Sequence, residues 1–201
     1  MLVRGCRGRT TGSGGFYTGA MAAPAPPFHL RPATPDDALC LSVLAMQVFL
    51  DTYATEGIRP AIAREVLAGY SAEVFTADIA APHTRITVAE REGHLIGFAH
   101  LRLGATEPLA PPGAQAELLR LYVQEPFTAR GVGTALLAQA EAQAAAEGAT
   151  VLWLTFWVHN HRARAFYGAR GYADFGPTWF RFEGEAHENR VVAKHLLPQE
   201  A

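Results

Sequence analysis

The stretch that most limits how this chain can fold runs from Ala116 to Gly148, AELLRLYVQEPFTARGVGTALLAQAEAQAAAEG. It reads as a strand, a short loop carrying Arg130-Gly131-Val132-Gly133, and a long helix rich in alanine and leucine. Val151 to Val158, VLWLTFWV, follows as a nearly continuous apolar run rich in aromatic and β-branched residues. Such a run suits a central strand covered on both faces. Strand, helix and strand make a βαβ unit, which requires two parallel strands joined by a right-handed crossover. The glycines let backbone come close to a ligand, and the first turn of a helix offers unpaired N–H groups to an anion. A glycine pair alone fits a tight turn equally well.

Around this unit the chain of 201 residues, 49% hydrophobic, has the material for one sizeable core. Residues 1–27 are dominated by Gly, Ser, Thr, Ala and Pro and lack a continuous apolar segment, so they read as a disordered tail and a poor signal peptide. Either Met1 or Met21 serves as the start, and residues 28–201 form the single domain. Arg4, Arg7 and Arg9 lie in the tail, which holds no acid, so the folded part is more acidic than the formal charge of −2. No basic patch argues for nucleic acid, and the acidity slightly favours a cationic ligand. No apolar run approaches the roughly 20 residues that cross a bilayer. Two cysteines, Cys6 and Cys40, make no disulfide framework, and a reducing, cytoplasmic setting is the simplest inference.

Phe28 to Arg31 reads as a short strand ended by Pro32 and Pro35. Thr34 is the expected N-cap of a helix to about Thr52, with Pro35 at its first position and Asp36 and Asp37 at the positive end of its dipole. Leu41, Leu44, Ala45 and Val48 should face the core, with Cys40 among them. A polar loop from Asp51 to Pro60 precedes two helices, at 61–68 and 72–81, the second stopped by Pro82. A hairpin follows: Arg85 to Glu90, a turn through Arg91-Glu92-Gly93, and His94 to Leu103. Alternation puts Leu95, Gly97, Ala99, Leu101 and Leu103 on one face and Ile96, Phe98, His100 and Arg102 on the other.

Beyond the apolar strand, Asn160 to Tyr172 (NHRARAFYGARGY) begins with an N-capping Asn and carries Gly171 near its end, suited to a C-cap. At 3.6 residues per turn Asn160, Ala163 and Tyr167 share a helix face with Phe166 beside it. A polar group, a small residue and a phenol in that order can line a narrow cleft; capping and packing alone account for them equally.

Together the strand ending Leu121-Tyr122-Val123, the loop Arg130-Gly131-Val132-Gly133 with Thr134-Ala135-Leu136-Leu137, and Asn160…Ala163…Phe166-Tyr167…Gly171-Tyr172 resemble the GNAT superfamily of acetyl-CoA-dependent N-acetyltransferases. The resemblance spans Phe28 to Leu197 and rests on three linked motifs. It implies an α/β fold: a mixed, mostly antiparallel sheet of about seven strands with a splayed parallel pair at its centre and helices on both faces. It implies acetyl-CoA as co-substrate, with no metal. Its contacts would fall on Leu121, Tyr122, Val123, Thr128, Ala129, Arg130, Gly131, Val132, Gly133, Thr134, Asn160 and Ala163. The pyrophosphate would meet the N–H groups of 129–134, the pantetheine arm would fill the gap between the splayed strands, and Asn160 would bond the arm. Family members usually carry Gln or Arg three residues before the first motif glycine; Thr128 stands there, which leaves the grip to backbone N–H groups and Arg130.

For the chemistry, Tyr167 matches the family's general-acid tyrosine, and Glu117, taken by alternation to share a face with Leu119 and Leu121, is the candidate base. The sequence looks most like a bacterial branch that includes spermidine and spermine acetyltransferases. The acceptor is then a small-molecule primary amine, with Asp51, Tyr53 and Glu56 as substrate contacts and Trp157 and Trp179 as pocket or core. A non-catalytic acetyl-CoA sensor and an enzyme acting on protein N-termini remain alternatives. The family commonly dimerises, which leaves a homodimer open. A dinucleotide-binding oxidoreductase lacks its full glycine motif here, since Leu136 follows Gly131 and Gly133. His159 and His161 stand two apart at a strand-to-helix junction, a poor metal pair. No G-x-S-x-G elbow is present.

Overall fold

A computed structural model of the chain describes residues 27–182 and 185–196; the expected tail at 1–27 lies, but for Pro27, outside the described residues. In chain order the elements are β1 (His29–Pro32), a 3₁₀ turn (Pro35–Asp37), α1 (Ala38–Tyr53), α2 (Pro60–Gly69), α3 (Ala72–Ala80), β2 (Thr84–Arg91), β3 (His94–Leu103) and β4 (Gln115–Val123). A second 3₁₀ turn (Glu125–Phe127), α4 (Val132–Ala146), β5 (Val151–Trp157), α5 (His161–Gly168), β6 (Ala173–Phe182) and β7 (Glu185–His195) complete it. One seven-stranded sheet has the order β1-β2-β3-β4-β5-β7-β6. Every neighbouring pair is antiparallel except β4 and β5, the two strands joined through α4. The expected mixed sheet with a parallel central pair is therefore present.

Two cores lie on its two faces. Under α4 and α5, Leu136, Leu137, Ala140 and Ala144 recur at helical spacing and pack on Leu101, Leu118, Leu152 and Leu154. On the other face Leu41, Leu44 and Ala45 of α1, Val66 of α2 and Phe75 of α3 pack on Ile86, Val88 and Phe98. Cys40 is exposed, not core-facing: it sits one position before Leu41, and the buried stripe through Leu41, Leu44 and Ala45 turns it outward. Val48 is only half-buried. The helix ends at Tyr53, within one residue of its expected end at about Thr52, so Asp51 and Tyr53, expected at the head of the polar loop, lie in its last turn. Among the described residues no helix is long and apolar enough to cross a membrane.

Strict alternation fails at β-bulges in β3 and β4, with a further register shift in β6 between Asp174 and Gly176. Ala89 pairs Gly97 while Glu90 pairs Leu95, so Ile96 is the extra residue. It joins the α4-side core while Leu95 packs on the other, the reverse of the expected faces. Leu101 pairs Leu118 while His100 pairs Arg120, so Leu119 is the extra residue in β4. Glu117 therefore shares a face with Arg120 and Tyr122, not with Leu121, because the bulge shifts the parity of every residue beyond it. A third expectation also fails: Thr155, in the middle of β5, is exposed, so the central strand is not covered on both faces.

Caps and turns close the elements. Thr34 is the N-cap of the 3₁₀ turn: its carbonyl accepts from Asp37 N–H at 2.9 Å, while its N–H and Oγ both donate to Asp37 Oδ2, at 2.7 and 3.1 Å. Arg31 of β1 donates to both oxygens of Asp37, at 2.7 and 2.8 Å, and to Glu90 of β2 at 2.7 Å. The β2–β3 turn is two residues, Glu92 (φ 52°) and Gly93 (φ 79°), with both φ positive as a type I′ turn requires.

The Arg31 guanidinium holds the Asp37 carboxyl down to about 2, with Thr34 adding to the effect against the opposing influence of burial. A depressed carboxylate stabilises the fold above its unfolded pKa of about 4 and loses that contribution as pH falls through about 2. Between pH 5 and 2 the wild type is expected to lose about 1–2 kcal/mol more stability than Asp37→Asn, read by urea denaturation at each pH. At Gly97 an added Cβ would lie 2.7 Å from the Tyr122 carbonyl oxygen. Gly97→Ala is expected to cost about 2 kcal/mol in the same assay, because backbone and not a flexible side chain must yield.

Candidate active site

The site begins where the sheet opens. β4 and β5 pair only at Gln115–Val151, Ala116–Leu152 and Glu117–Trp153. Beyond that β4 stays on β3 as far as Val123, and β5 stays on β7 as far as Trp157. The two strands diverge like the arms of a V, and the Leu119 bulge lies on the diverging part of β4, where a bulge bends a strand. Backbone N–H and C=O groups along the facing edges are left without a sheet partner, an arrangement suited to an extended, amide-bearing ligand.

At the open end stands the start of α4. Thr128 N–H donates to Glu125 O at 3.1 Å, and the next backbone donor with a carbonyl partner is Ala135, on Gly131 O at 2.9 Å. Between them the N–H groups of residues 129–134 have no backbone acceptor. Ala129 (φ 57°) and Gly131 (φ 84°) are both left-handed, which curls successive N–H groups into a concave nest. No side chain caps the helix. Its positive end and the nest together favour an anion with several oxygens. At Gly131 an added Cβ would meet nothing within 4 Å, so the glycine serves its conformation and the open space in front of it.

α5 forms the opposite wall. Asn160 Oδ1 accepts from Ala163 N–H at 2.9 Å and starts the helix. Ala163, Phe166, Tyr167 and Arg170 then recur at three- and four-residue spacing along one stripe. Arg170 lies on the Phe166 ring, 3.7 Å from its centroid, and donates to Thr134 Oγ at 2.6 Å and Phe166 O at 2.7 Å. It ties α5 to the first turn of α4 and places a cation beside the nest. Arg162 pairs with Glu125 at 2.7 Å at the exposed rim. Tyr167 is buried, stacked on Phe156 with centroids 6.1 Å apart and edge-on to Phe166 and Tyr172. Burial first, then neighbouring Tyr53, pushes its phenol well above the usual range against the opposing pull of Arg170, so it stays protonated at neutral pH.

These walls enclose a cleft of about 540 Å³. Of the residues expected from sequence, Leu121, Val123, Thr128, Ala129, Gly131, Gly133, Thr134, Asn160, Ala163, Tyr167 and Asp51 line it. Tyr122 does not: it faces the other side of the sheet, its hydroxyl 3.3 Å from that of Tyr70. Val132 is buried in the core and offers only its N–H, and the Arg130 side chain is exposed outside the lining. Glu117 is buried where the strands part, paired with Arg102 on the face away from α4. Burial raises its pKa against the opposing effect of Arg102. Tyr53 lies beside Phe49 and Trp157, Glu56 is exposed in the following loop, and Trp179 is exposed on β6. Val48, Thr52, Glu125, Arg162 and Arg170 line the cleft without having been singled out as site residues. Arg170 was within reach, since it extends the Ala163, Phe166, Tyr167 stripe by one step. Among the described residues no group of three His, Cys, Asp or Glu side chains is placed to hold a metal.

The acetyltransferase (GNAT) family profile matches residues 54–172, which include β4, the nest, α4 and α5. An uncharacterised N-acetyltransferase of Mycobacterium bovis is 31% identical over 138 residues, 66% of this chain and 83% of that protein. Another, of Lactobacillus delbrueckii, is 25% identical over 156 residues, 77% of this chain and 89% of the relative. Among solved structures, the PaiA N-acetyltransferase of Thermoplasma acidophilum in complex with coenzyme A superposes with a TM-score of 0.66 at 23% identity, covering 84% of this chain and 98% of that one. At that identity the likeness speaks for the fold. With the profile, the relatives and the parted strands in agreement, the chain belongs to the acetyltransferase (GNAT) family.

Proposed function

We propose that this N-acetyltransferase moves the acetyl group of acetyl-CoA directly to a primary amine of a small molecule, both substrates being bound at once. The observation that carries it is the run of N–H groups at 129–134 without backbone partners, opening on the same cleft as the protonated Tyr167. In this reading the pyrophosphate of the cofactor lies in the nest with Arg170 beside it. The pantetheine amides lie along the free edge of β4 at Leu121 and Val123, and Asn160 offers the amide hydrogens that its cap leaves free. That the Thermoplasma structure, on the same fold, is a complex with coenzyme A supports the choice of cofactor.

Each proton has a proposed carrier. A lysine-like ammonium, with a pKa of about 10.4, sheds a proton before it attacks the thioester carbonyl. Glu117 is the proposed base, acting through water: it sits where the strands part, on the face opposite α4, and desolvation favours its taking a proton. Attack yields a tetrahedral oxyanion, for which a backbone N–H of 121–123 is the proposed donor. Its collapse breaks the carbon–sulfur bond, and Tyr167 gives its proton to the leaving thiolate. Among amines, a polyamine draws its support from Asp51, which lines the cleft; Glu56 stands away from it. A cytoplasmic setting is part of this proposal, supported by two cysteines that make no disulfide framework.

Gly131→Asp puts a carboxylate where the nest would hold phosphate. It is expected to weaken acetyl-CoA binding more than about 100-fold by calorimetry while the circular dichroism spectrum stays that of the wild type. Retained binding would remove the nest from the proposal. Tyr167→Phe is expected to lower kcat about 100-fold with the KM for acetyl-CoA within about two-fold. Equal loss in both parameters would make Tyr167 a packing residue.

A further inference from the structure

The cofactor side of the gap is walled by α4 and α5, so an acceptor has to arrive from the opposite face, where Thr155 is exposed in mid-strand. On β5 its side chain alternates with Trp153 and Trp157. Trp153 is covered, its ring N–H donating to Ala105 O at 3.0 Å. Trp157 is only half-buried and meets Tyr53, the last residue of α1, across a centroid distance of 6.0 Å. Tyr53 is 37% exposed, continues into Phe49 at 4.7 Å, and Phe49 into Tyr70 at 5.2 Å. Tyr70 in turn bonds Tyr122 of β4 through their hydroxyls at 3.3 Å. The opening therefore has an aromatic wall that runs from the end of β5 to the diverging arm of β4, next to the point where the acetyl group would emerge.

Apart from Asp51, the charges around this wall are already matched. Glu117 is bonded to Arg102, and Asp78 lies 3.8 Å from Arg120. Arg120 stands over the Tyr70 ring, 5.0 Å from its centroid, so that π-face already holds a cation. Burial keeps the Tyr53 phenol neutral by pushing it up to about 12. A ligand entering here finds flat apolar faces and neutral phenols; Asp51, which also lines the cleft, is a single carboxylate and can meet only one ammonium.

We infer that the acceptor is a monoamine carried on an aromatic or similarly flat apolar body, seated between Tyr53 and Trp157 with its nitrogen directed past Thr155 into the gap. This rests on the acetyltransferase reading above and narrows its acceptor. Ring-on-ring burial holds the body, as offset aromatic pairs do at such distances. A polyamine gains little from the wall, because Asp51 can meet one of its charges and any other would be desolvated against Arg120 and Arg102 without a partner.

The test compares 2-phenylethylamine with spermidine, following thiol release from acetyl-CoA, with acetyl-CoA binding measured separately by calorimetry. The expected result is a kcat/KM for 2-phenylethylamine at least about ten-fold above that for spermidine. Tyr53→Ala and, separately, Trp157→Leu are expected to raise the KM for 2-phenylethylamine about ten-fold while acetyl-CoA affinity stays within about two-fold. A loss of acetyl-CoA affinity of the same size in both variants would mean that the pair only packs, and would overturn the inference. Spermidine preferred, or neither amine acetylated by a protein that binds acetyl-CoA, would overturn it and leave the cofactor site standing. Failure to bind acetyl-CoA at all would instead overturn the acetyltransferase reading itself.

Discussion

The parting of β4 from β5 is the constraint to which the rest of the structure answers. A sheet that opens at its centre leaves backbone donors and acceptors unpaired in a partly desolvated place, and each such group costs about 1–3 kcal/mol if nothing meets it. The fold confines that cost to one side of each strand. β4 keeps its full ladder to β3 and β5 its full ladder to β7, so only the facing edges go without. Three residue pairs at the closed end fix the angle from which the arms diverge. The Leu119 bulge lets β4 bend without giving up its outer ladder, and it also sends Leu121 and Val123 to the α4 face while Tyr122 turns to the other.

Helix placement follows from the same opening. α4 is the crossover between the two parallel strands, so its first turn has to stand at the end of β4, where the gap is widest. The nest at Ala129 to Gly131 reaches the cleft mouth for that reason and needs no separate explanation. Once α4 is seated by Leu136, Leu137, Ala140 and Ala144, Gly133 faces the Phe166 ring, where an added Cβ would make ordinary contact at 3.5 Å. Arg170 then bridges from the same ring to Thr134. Packing on one side and a cation on the other fix α5 relative to α4, and the phenol of Tyr167 comes with them.

Much of this was legible in the sequence, and the misses have physical causes. The βαβ unit, the nest and the Asn160 to Tyr167 stripe are local: glycine position, helical period and cap chemistry are properties of neighbouring residues. Side-chain direction along β3 and β4 is not. A bulge adds one residue without changing the hydrophobic pattern much, so the faces of Ile96, Leu95 and Glu117 came out reversed. Thr155 was hidden in a run of apolar neighbours, because exposure in a central strand depends on where another strand has gone. The end of α1 lies within one residue of its expected place, because Gly57 and Pro60 limit how far that helix can run. Arg170 lay in plain view on the helix stripe, but its contact with Thr134 joins residues 36 apart, and no local rule reports that.

The two sides of the gap differ in kind, and that difference assigns their roles. On the α4 side the polar features are backbone N–H groups, a helix terminus and Arg170, all positive in sign and suited to phosphate. On the other side Glu117 and Asp78 are matched by Arg102 and Arg120, Asp51 stands at the cleft, and the open surface is aromatic. A cofactor and an acceptor bound on these two surfaces meet only through the gap, whose narrow end is set by the three β4–β5 pairs. Proximity is then a property of the sheet, since the reacting atoms are brought together by strand divergence, without a lid. The same geometry explains why Tyr167 and Glu117 sit on opposite faces of the sheet. In the proposed roles, the proton leaving the amine and the proton reaching the thiolate belong to different substrates, and a sheet parted at its centre would give each substrate its own side.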